Sequence, residues 1–239
     1  MKKALLTLLL ITFTLNLFGQ SGVGMKPDTK KFNYGIKAGF TSSIYLISNF
    51  SIGGERIRRV QNNYRVGFNG SLFMRYNMSK HYIQPEVAYN INKCEIIFDK
   101  NVSDDSSLLP AYASISSNIH SIDIPILYGY NFIKEGIYGM SFFIGPKVRY
   151  IWNNQSKMNY SNFEEQNIKE KFYPFNIGFS VGLAINISKV FFDFRYEQVV
   201  HNISKSIDYD LPKTANADEA PLVLHRRDNT ISFSLGVLF

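Results

Sequence analysis

The fold that the sequence predicts is all-β: an eight-stranded antiparallel up-and-down transmembrane β-barrel. Three observations predict it. Eight segments alternate apolar and polar residues at period two, the mark of strands with one greasy and one polar face. The connections between these segments are alternately long and short without exception. The bulky residues keep to one parity and the small ones to the other, and a narrow barrel can enclose only the small set.

The segments follow in order. In the first, Phe32, Tyr34, Ile36, Ala38 and Phe40 oppose Asn33, Gly35, Lys37, Gly39 and Thr41. In the second, Val66, Phe68, Leu72, Met74 and Tyr76 oppose Arg65, Gly67, Asn69, Ser71 and Arg75, with Phe73 as a large residue on the polar side. The third sets Ile83, Pro85, Val87, Tyr89 and Ile91 against Gln84, Glu86, Ala88, Asn90 and Asn92. The fourth runs from Ser121 to Phe132, with Ile122, Ile124, Ile126, Tyr128 and Tyr130 on its apolar face. The fifth, Tyr138 to Tyr150, carries Lys147 and Arg149 on its polar face, again with an exception, Phe143. The sixth is the most regular: Phe175, Ile177, Phe179, Val181, Leu183, Ile185 and Ile187 alternate with Asn, Gly, Ser and Ala. In the seventh, Val190, Phe192, Phe194 and Tyr196 oppose Phe191, Asp193, Arg195 and Glu197. The eighth is the closing stretch ISFSLGVLF, Ile231 to Phe239.

Short links are expected at Met78–His81, Ile133–Gly136 and Ser188-Lys189, and long ones at roughly Ser43–Asn63, Asp99–Ser114, Asn153–Phe172 and Ile203–Leu224. Short turns on one side and long loops on the other are the pattern of an outer-membrane barrel, with both termini on the periplasmic side. A secreted soluble barrel of the lipocalin or streptavidin kind would put its apolar face inside. Here that face is almost entirely Phe, Tyr, Ile and Leu, too much volume to enclose, so it must point into lipid. Tyr76, Tyr82, Tyr128, Tyr130, Phe132 and Tyr138 near the short turns, and Tyr150 and Trp152 at the other rim, suit interfacial girdles.

The amino terminus is consistent with export. Met1-Lys2-Lys3 precedes an apolar run, Ala4 to Phe18, and then Gly19-Gln20-Ser21, the order of a cleaved secretory signal peptide. The expected organisation is a signal peptide over 1–20, a periplasmic segment over 21–31 and the barrel over 32–239. Loss of Lys2 and Lys3 would lower the formal net charge from +7 to +5, and the remaining basic residues form no stripe, which excludes nucleic acid as a partner. The single cysteine, Cys94, rules out an intrachain disulfide and reads as a small apolar residue.

The stretches FNYGIKAGF, IQPEVAYN, IDIPILYGY, FFIGPKVRY and ISFSLGVLF, in that order, resemble the PorT-like outer-membrane β-barrel family of Bacteroidetes-type bacteria. The resemblance covers Phe32 to Phe239 and rests on strand patterns, which do not carry an activity. The family name comes from a protein tied to type IX secretion across the outer membrane; no residue here singles out that role.

Ten charged residues share the inward parity: Lys37, Arg65, Arg75, Glu86, Asp123, Lys147, Arg149, Asp193, Arg195 and Glu197. In a narrow lumen they are expected to pair across the barrel, since an unpaired buried charge costs several kcal/mol. Asp193, Arg195 and Glu197 alternate in sign along one strand, which suits a pairing network better than a selectivity ring. A nucleophile needs a base within hydrogen-bond reach. His120 and Ser121 are adjacent and so face opposite ways, while His81, His201 and His225 have no serine placed beside them by sequence. Asp104-Asp105 and Glu164-Glu165 lack calcium-loop spacing, and neither zinc spacing nor a phosphate loop is present, so no metal or cofactor is expected.

The reading is a non-enzymatic outer-membrane barrel with a filled lumen, acting structurally or by binding through its long loops, or as a subunit of an envelope complex. The expected partners are outer-membrane lipid and lipopolysaccharide, barrel-assembly machinery that would recognise the terminal Phe239, and other envelope proteins. A narrow channel or a type IX-like secretion accessory is the alternative. A lipid-modifying hydrolase is the second alternative.

Overall fold

The computed structural model describes residues 30–52, 55–56, 60–99, 112–152, 156–161, 166–210 and 223–239. The expected signal peptide, all but the last two residues of the 21–31 segment, and the acidic pairs Asp104-Asp105 and Glu164-Glu165 lie outside the described residues. The strands in chain order are β1 (Phe32–Ile52), β2 (Glu55–Arg56), β3 (Val60–Tyr64), β4 (Val66–Met78), β5 (His81–Asp99), β6 (Tyr112–Glu135), β7 (Tyr138–Ile151), β8 (Lys157–Ser161), β9 (Gln166–Phe172), β10 (Phe175–Ile187), β11 (Val190–Val199), β12 (Ser204–Asp210) and β13 (Val223–Leu238). Strands β1, β4, β5, β6, β7, β10, β11 and β13 pair with their chain neighbours, and β13 pairs back onto β1, so the sheet closes into an eight-membered antiparallel ring. Closure pairs Gly35 with Leu238 and Phe40 with Phe233, removing the edge that the terminal segment would otherwise present.

The three short connections are two-residue turns, Ser79-Lys80, Gly136-Ile137 and Ser188-Lys189. The first residue of each has positive φ, 57°, 57° and 55°, the demand of a tight hairpin that follows the sheet's twist. At the middle turn β6 runs three residues beyond the expected boundary, to Glu135, and a register shift between Asn131 and Ile133 leaves both Phe132 and Ile133 on the outer surface.

At the other end the described parts of the expected long loops are largely strand. β1 continues to Ile52, β5 to Asp99, and β6 starts at Tyr112. Above the ring, β3 continues the line of β4 on β5, β8 continues that of β7 on β6, and β9 and β12 form a two-stranded sheet of their own.

The two faces exchange character along β5 and β6. From His81 to Asn92, β5 turns Ile83, Val87 and Tyr89 outward and Gln84, Glu86, Asn90 and Asn92 inward; beyond that, Lys93 and Glu95 face out and Cys94, Ile96 and Phe98 face in. On β6 the same exchange falls between Ile122 and His120, and the register pairs His120 with Ile91 at one height. Below this line the outside is apolar and the inside polar, as lipid requires. Above it the inside is the apolar core, Tyr45, Cys94, Ile96, Phe98, Ala113, Ile115, Ile119, Ile151, Phe172, Val199 and Ile203. The second arrangement is that of a protein in water, so the line marks the membrane boundary and the strands above it form a water-exposed head.

The three inward aromatics that break the period-two rule each meet a glycine. Phe73 pairs with Gly35, Phe143 with Gly182 and Phe191 with Gly236, and Tyr82, which faces inward at 1% exposure rather than joining the outer girdle expected of it, adds a fourth pair with Gly129. A Cβ at these glycines would lie 2.4, 2.4, 2.3 and 2.0 Å from the facing ring. The absent side chains are the space in which the rings lie flat, an arrangement that shields glycine in a sheet. Gly129→Ala should therefore destabilise the barrel, and combining it with Tyr82→Leu should recover part of the loss. Unfolding midpoints for the two single variants and the double variant measure the coupling.

Candidate functional site: the lumen and its two ends

Three layers fill the barrel interior. Nearest the short turns, Phe73, Phe191 and Leu238 form one cluster and Tyr82, Leu127, Phe143 and Ala184 another. The Phe73 and Phe191 rings meet edge to face at 5.2 Å. Arg75 lies among them, its guanidinium 4.4 Å from the Tyr82 ring centre and 5.5 Å from that of Phe191, with Nε donating to Gln84.

The middle layer is ionic. Lys37 Nζ reaches Glu86 at 3.0 Å and Asp193 at 2.8 Å. Arg195 spans the same two carboxylates at 3.0 and 2.8 Å and stacks on Phe143 at 5.1 Å. Higher up, Lys147 pairs with Asp123 at 3.0 Å and Glu197 at 2.6 Å, and Arg149 with Asp123 at 3.1 Å and Asp228 at 2.7 Å. Arg195 to Glu197, at 3.8 Å, links the two groups. Gln84, Ser121, Ser180 and Asn92 add hydrogen bonds to Glu86, Asp123, Glu197 and Asp228 respectively. Within this layer the structure leaves a cavity of about 10 Å³, lined by Lys37, Glu86, Asp123 and Arg195 among others. That is room for about one water molecule.

The third layer is the apolar core of the head, which also encloses one ion pair. Arg226 meets Glu170 at 2.8 Å and lies 4.4 Å above the Tyr45 ring. Tyr160 donates to Glu170 at 3.2 Å, and burial, reinforced by the Glu170 charge, pushes its phenol well above the usual range.

Of the ten residues expected to form the lumen network, the structure brings eight into contact through ion pairs: Lys37, Glu86, Asp123, Lys147, Arg149, Asp193, Arg195 and Glu197. Arg75 is inside but rests on aromatic rings and an amide. Arg65 is a correction. Its side chain is 54% exposed and pairs at 2.8 Å with Glu95, on the outer wall of the head. The cause is a slip: β4 sets Phe68 against Ile91 while β3 sets Tyr64 against Cys94, so four residues on one side match three on the other. Parity reverses there, and Arg65 falls outside. Sequence parity also missed two buried charges, Arg226 and Asp228, although they continue the inward series Thr230, Ser232 and Ser234.

The histidines do not assemble a catalytic group. His120 Nδ1 pairs with the Tyr89 hydroxyl at 2.7 Å on the outer surface, while the neighbouring Ser121 hydroxyl points inward to Asp123 at 2.9 Å. His81 stacks on Tyr128, and His201 and His225 are exposed. Among the described residues no group of three His, Cys, Asp or Glu side chains is placed to hold a metal. At the chain terminus the Phe239 ring stacks on Tyr34 at 5.7 Å and its N–H donates to the Tyr34 carbonyl.

Both ends of the lumen differ in form. The head end is closed by packed apolar side chains. The short-turn end opens into a vestibule of about 680 Å³ whose walls include Lys30, Lys31, Lys134, Asn131 and Asn186 and whose inner limit is Arg75 and Leu238.

The fold is shared with a solved outer-membrane protein, OprG. OprG of Pseudomonas aeruginosa superimposes with a TM-score of 0.53 over 88% of this chain and 97% of its own, at 12% identity. Neisserial surface protein A covers 88% of this chain and 98% of its own, with a TM-score of 0.41 and 10% identity. Ail of Yersinia pestis covers 88% and 100%, with a TM-score of 0.40 and 12% identity. No curated protein sequence matches the chain. Residues 18–205 match the family described as outer membrane protein beta-barrel domain, a span that contains β1 through β11 entire. With the closed ring, the lipid-facing apolar band and this match in hand, the chain belongs to the outer membrane protein beta-barrel domain family.

Proposed function

We propose that this outer-membrane barrel is a non-conducting, non-enzymatic platform whose rigid head presents a binding surface, either alone or as a subunit of a larger envelope assembly. The observation that carries the reading is the filled lumen. An aromatic layer, a paired ionic layer and an apolar head core follow one another along the axis, leaving no continuous polar path among the described residues. Planar bilayers containing the purified protein should show no conductance steps above background at 100 mV or so, a field worth about 2.3 kcal/mol per elementary charge. Regular steps would support a channel instead. The hydrolase reading would require lipid A to change in mass when the protein is expressed, and to stop changing in a His120→Ala, His201→Ala variant.

The head is assigned to the cell exterior, with the short turns and both termini in the periplasm, after cleavage of residues 1–20. A PorT-like member of a Bacteroidetes-type bacterium would have this topology. It is testable with introduced cysteines because Cys94 is fully buried, and burial pushes its thiol up to about 11, leaving it protonated and enclosed. A membrane-impermeant maleimide on whole cells should label Lys157→Cys and leave both Lys189→Cys and the unaltered protein unlabelled. Labelling at position 189 alone would invert the topology. Outer-leaflet lipopolysaccharide and envelope proteins are the partners this placement offers to the head, and purification from the native membrane should recover any stoichiometric protein partner.

A further inference from the structure

Among the described residues six cations are buried inside this barrel: Lys37, Arg75, Lys147, Arg149, Arg195 and Arg226. Five of them have a carboxylate at 2.6–2.8 Å. Arg75 has none among the described residues. It is 4% exposed, its Nε is used by Gln84, and the carboxylate beyond that amide, Glu86, already serves Lys37 and Arg195. Lys37, Arg195, Glu86 and Asp193 are two charges of each sign in mutual contact, and the further carboxylate of the ionic layer, Asp228, is held by Arg149, so among the described residues Arg75 stands at the inner limit of the vestibule with no carboxylate in contact.

The walls of that vestibule repeat the sign. Lys30, Lys31 and Lys134 line it together with Arg75, and among the described residues no Asp or Glu does. Lys134 is held in place by donating to the Ser79 carbonyl at 3.1 Å. Neutral donors stand between the cations: the amides of Asn77 and Asn131 and the hydroxyls of Ser79 and Ser188. Tyr76, Tyr138, Ile137 and Leu238 supply apolar wall. A pocket of this size, mostly apolar with a few convergent polar groups, is of the kind that holds a small molecule.

We propose that the vestibule is a binding site for a phosphate-bearing ligand of at least two negative charges, entering from the short-turn side. Four cations surround one volume, which a single carboxylate does not match. They approach from the inner limit and from several wall positions, which suits a tetrahedral group accepting hydrogen bonds in several directions better than a planar carboxylate. The Arg75 guanidinium, held between rings, is pre-organised to donate to phosphate oxygens. The source is either a soluble organic phosphate or the headgroup of a phospholipid at the mouth. The site does not depend on whether the lumen conducts, nor on which side of the membrane the short turns face.

Calorimetric titration of the full barrel in neutral detergent with inorganic pyrophosphate tests this. Saturable binding is expected, weakened at least about tenfold by Arg75→Gln and by the triple variant Lys30→Gln, Lys31→Gln, Lys134→Gln, the loss that one strong charge-assisted contact implies. The triple variant alters side chains at the open mouth and leaves the packed layers intact, so it remains informative if Arg75→Gln fails to fold. Lys157→Gln with Arg227→Gln, at the head, should leave binding unchanged. Absence of pyrophosphate binding, or equal weakening by the head variant, overturns the proposal. Repeating the titration in nanodiscs separates the two sources. Pyrophosphate binding that persists with phosphatidylglycerol present supports a soluble ligand, and binding that is lost there but kept in phosphatidylcholine alone supports a lipid headgroup.

Discussion

Glu86→Gln should lower the unfolding free energy of the barrel by about 3–5 kcal/mol, the usual loss when one partner of a buried ion pair is removed. The Glu86 side chain has no exposure and is contacted at once by Lys37, Arg195 and Gln84. Neutralising it leaves two buried cations to divide Asp193, which contacts both at 2.8 Å. The single tryptophan, Trp152, is half exposed at the boundary of the head, so its fluorescence follows unfolding in urea from lipid vesicles. A companion variant separates charge from packing. Lys37→Met with Glu86→Leu removes one charge of each sign and leaves Arg195 on Asp193, so most of the stability should return. If the single variant is as stable as the unaltered protein, the ionic layer is not structural, and the filled-lumen reading falls with it.

Much of this barrel was legible in the sequence because lipid and lumen impose opposite demands on alternate residues. The regular run from Phe175 to Ile187 needs no tertiary information to be read as a wall strand. Two kinds of feature were not legible. One depends on register between strands that are distant in sequence: the glycine opposite each of Phe73, Phe143 and Phe191 is visible only once the pairing is known, and so is the slip that carries Arg65 outside. The other depends on the solvent outside the barrel. The stretch from Asn92 to Phe98 keeps strict alternation, but its polarity exchanges where lipid gives way to water, so the pattern looks like the end of a strand. The same exchange hid Arg226 and Asp228, because HRRDNT lacks the outward apolar residues by which a membrane strand is recognised. Continuing the parity of Ser234, Ser232 and Thr230 backward would have found both. Arg75 was placed inside by parity, but its lack of a carboxylate could not be seen without the positions of its neighbours.

The boundary between lipid and water can be tested on β6 alone, where three substitutions should give three different outcomes. Ile126 faces outward within the apolar band and is 53% exposed, so Ile126→Lys places a charge in lipid and should cost about 2–4 kcal/mol. Ser114 also faces outward, but above the exchange between Ile122 and His120, so Ser114→Lys meets water and should change stability by no more than about 0.5 kcal/mol. Ile115, beside it, is fully buried in the head, and Ile115→Ala should cost about 2–5 kcal/mol through lost burial and the cavity left behind. Urea unfolding from vesicles measures all three. In a barrel whose head did not fold, Ile115→Ala would be as mild as Ser114→Lys; in one whose lipid band reached the top of β6, Ser114→Lys would be as costly as Ile126→Lys. A mild Ser114→Lys beside two costly neighbours requires that one continuous strand leave the membrane and enter a second, water-facing core without changing the side on which any residue lies.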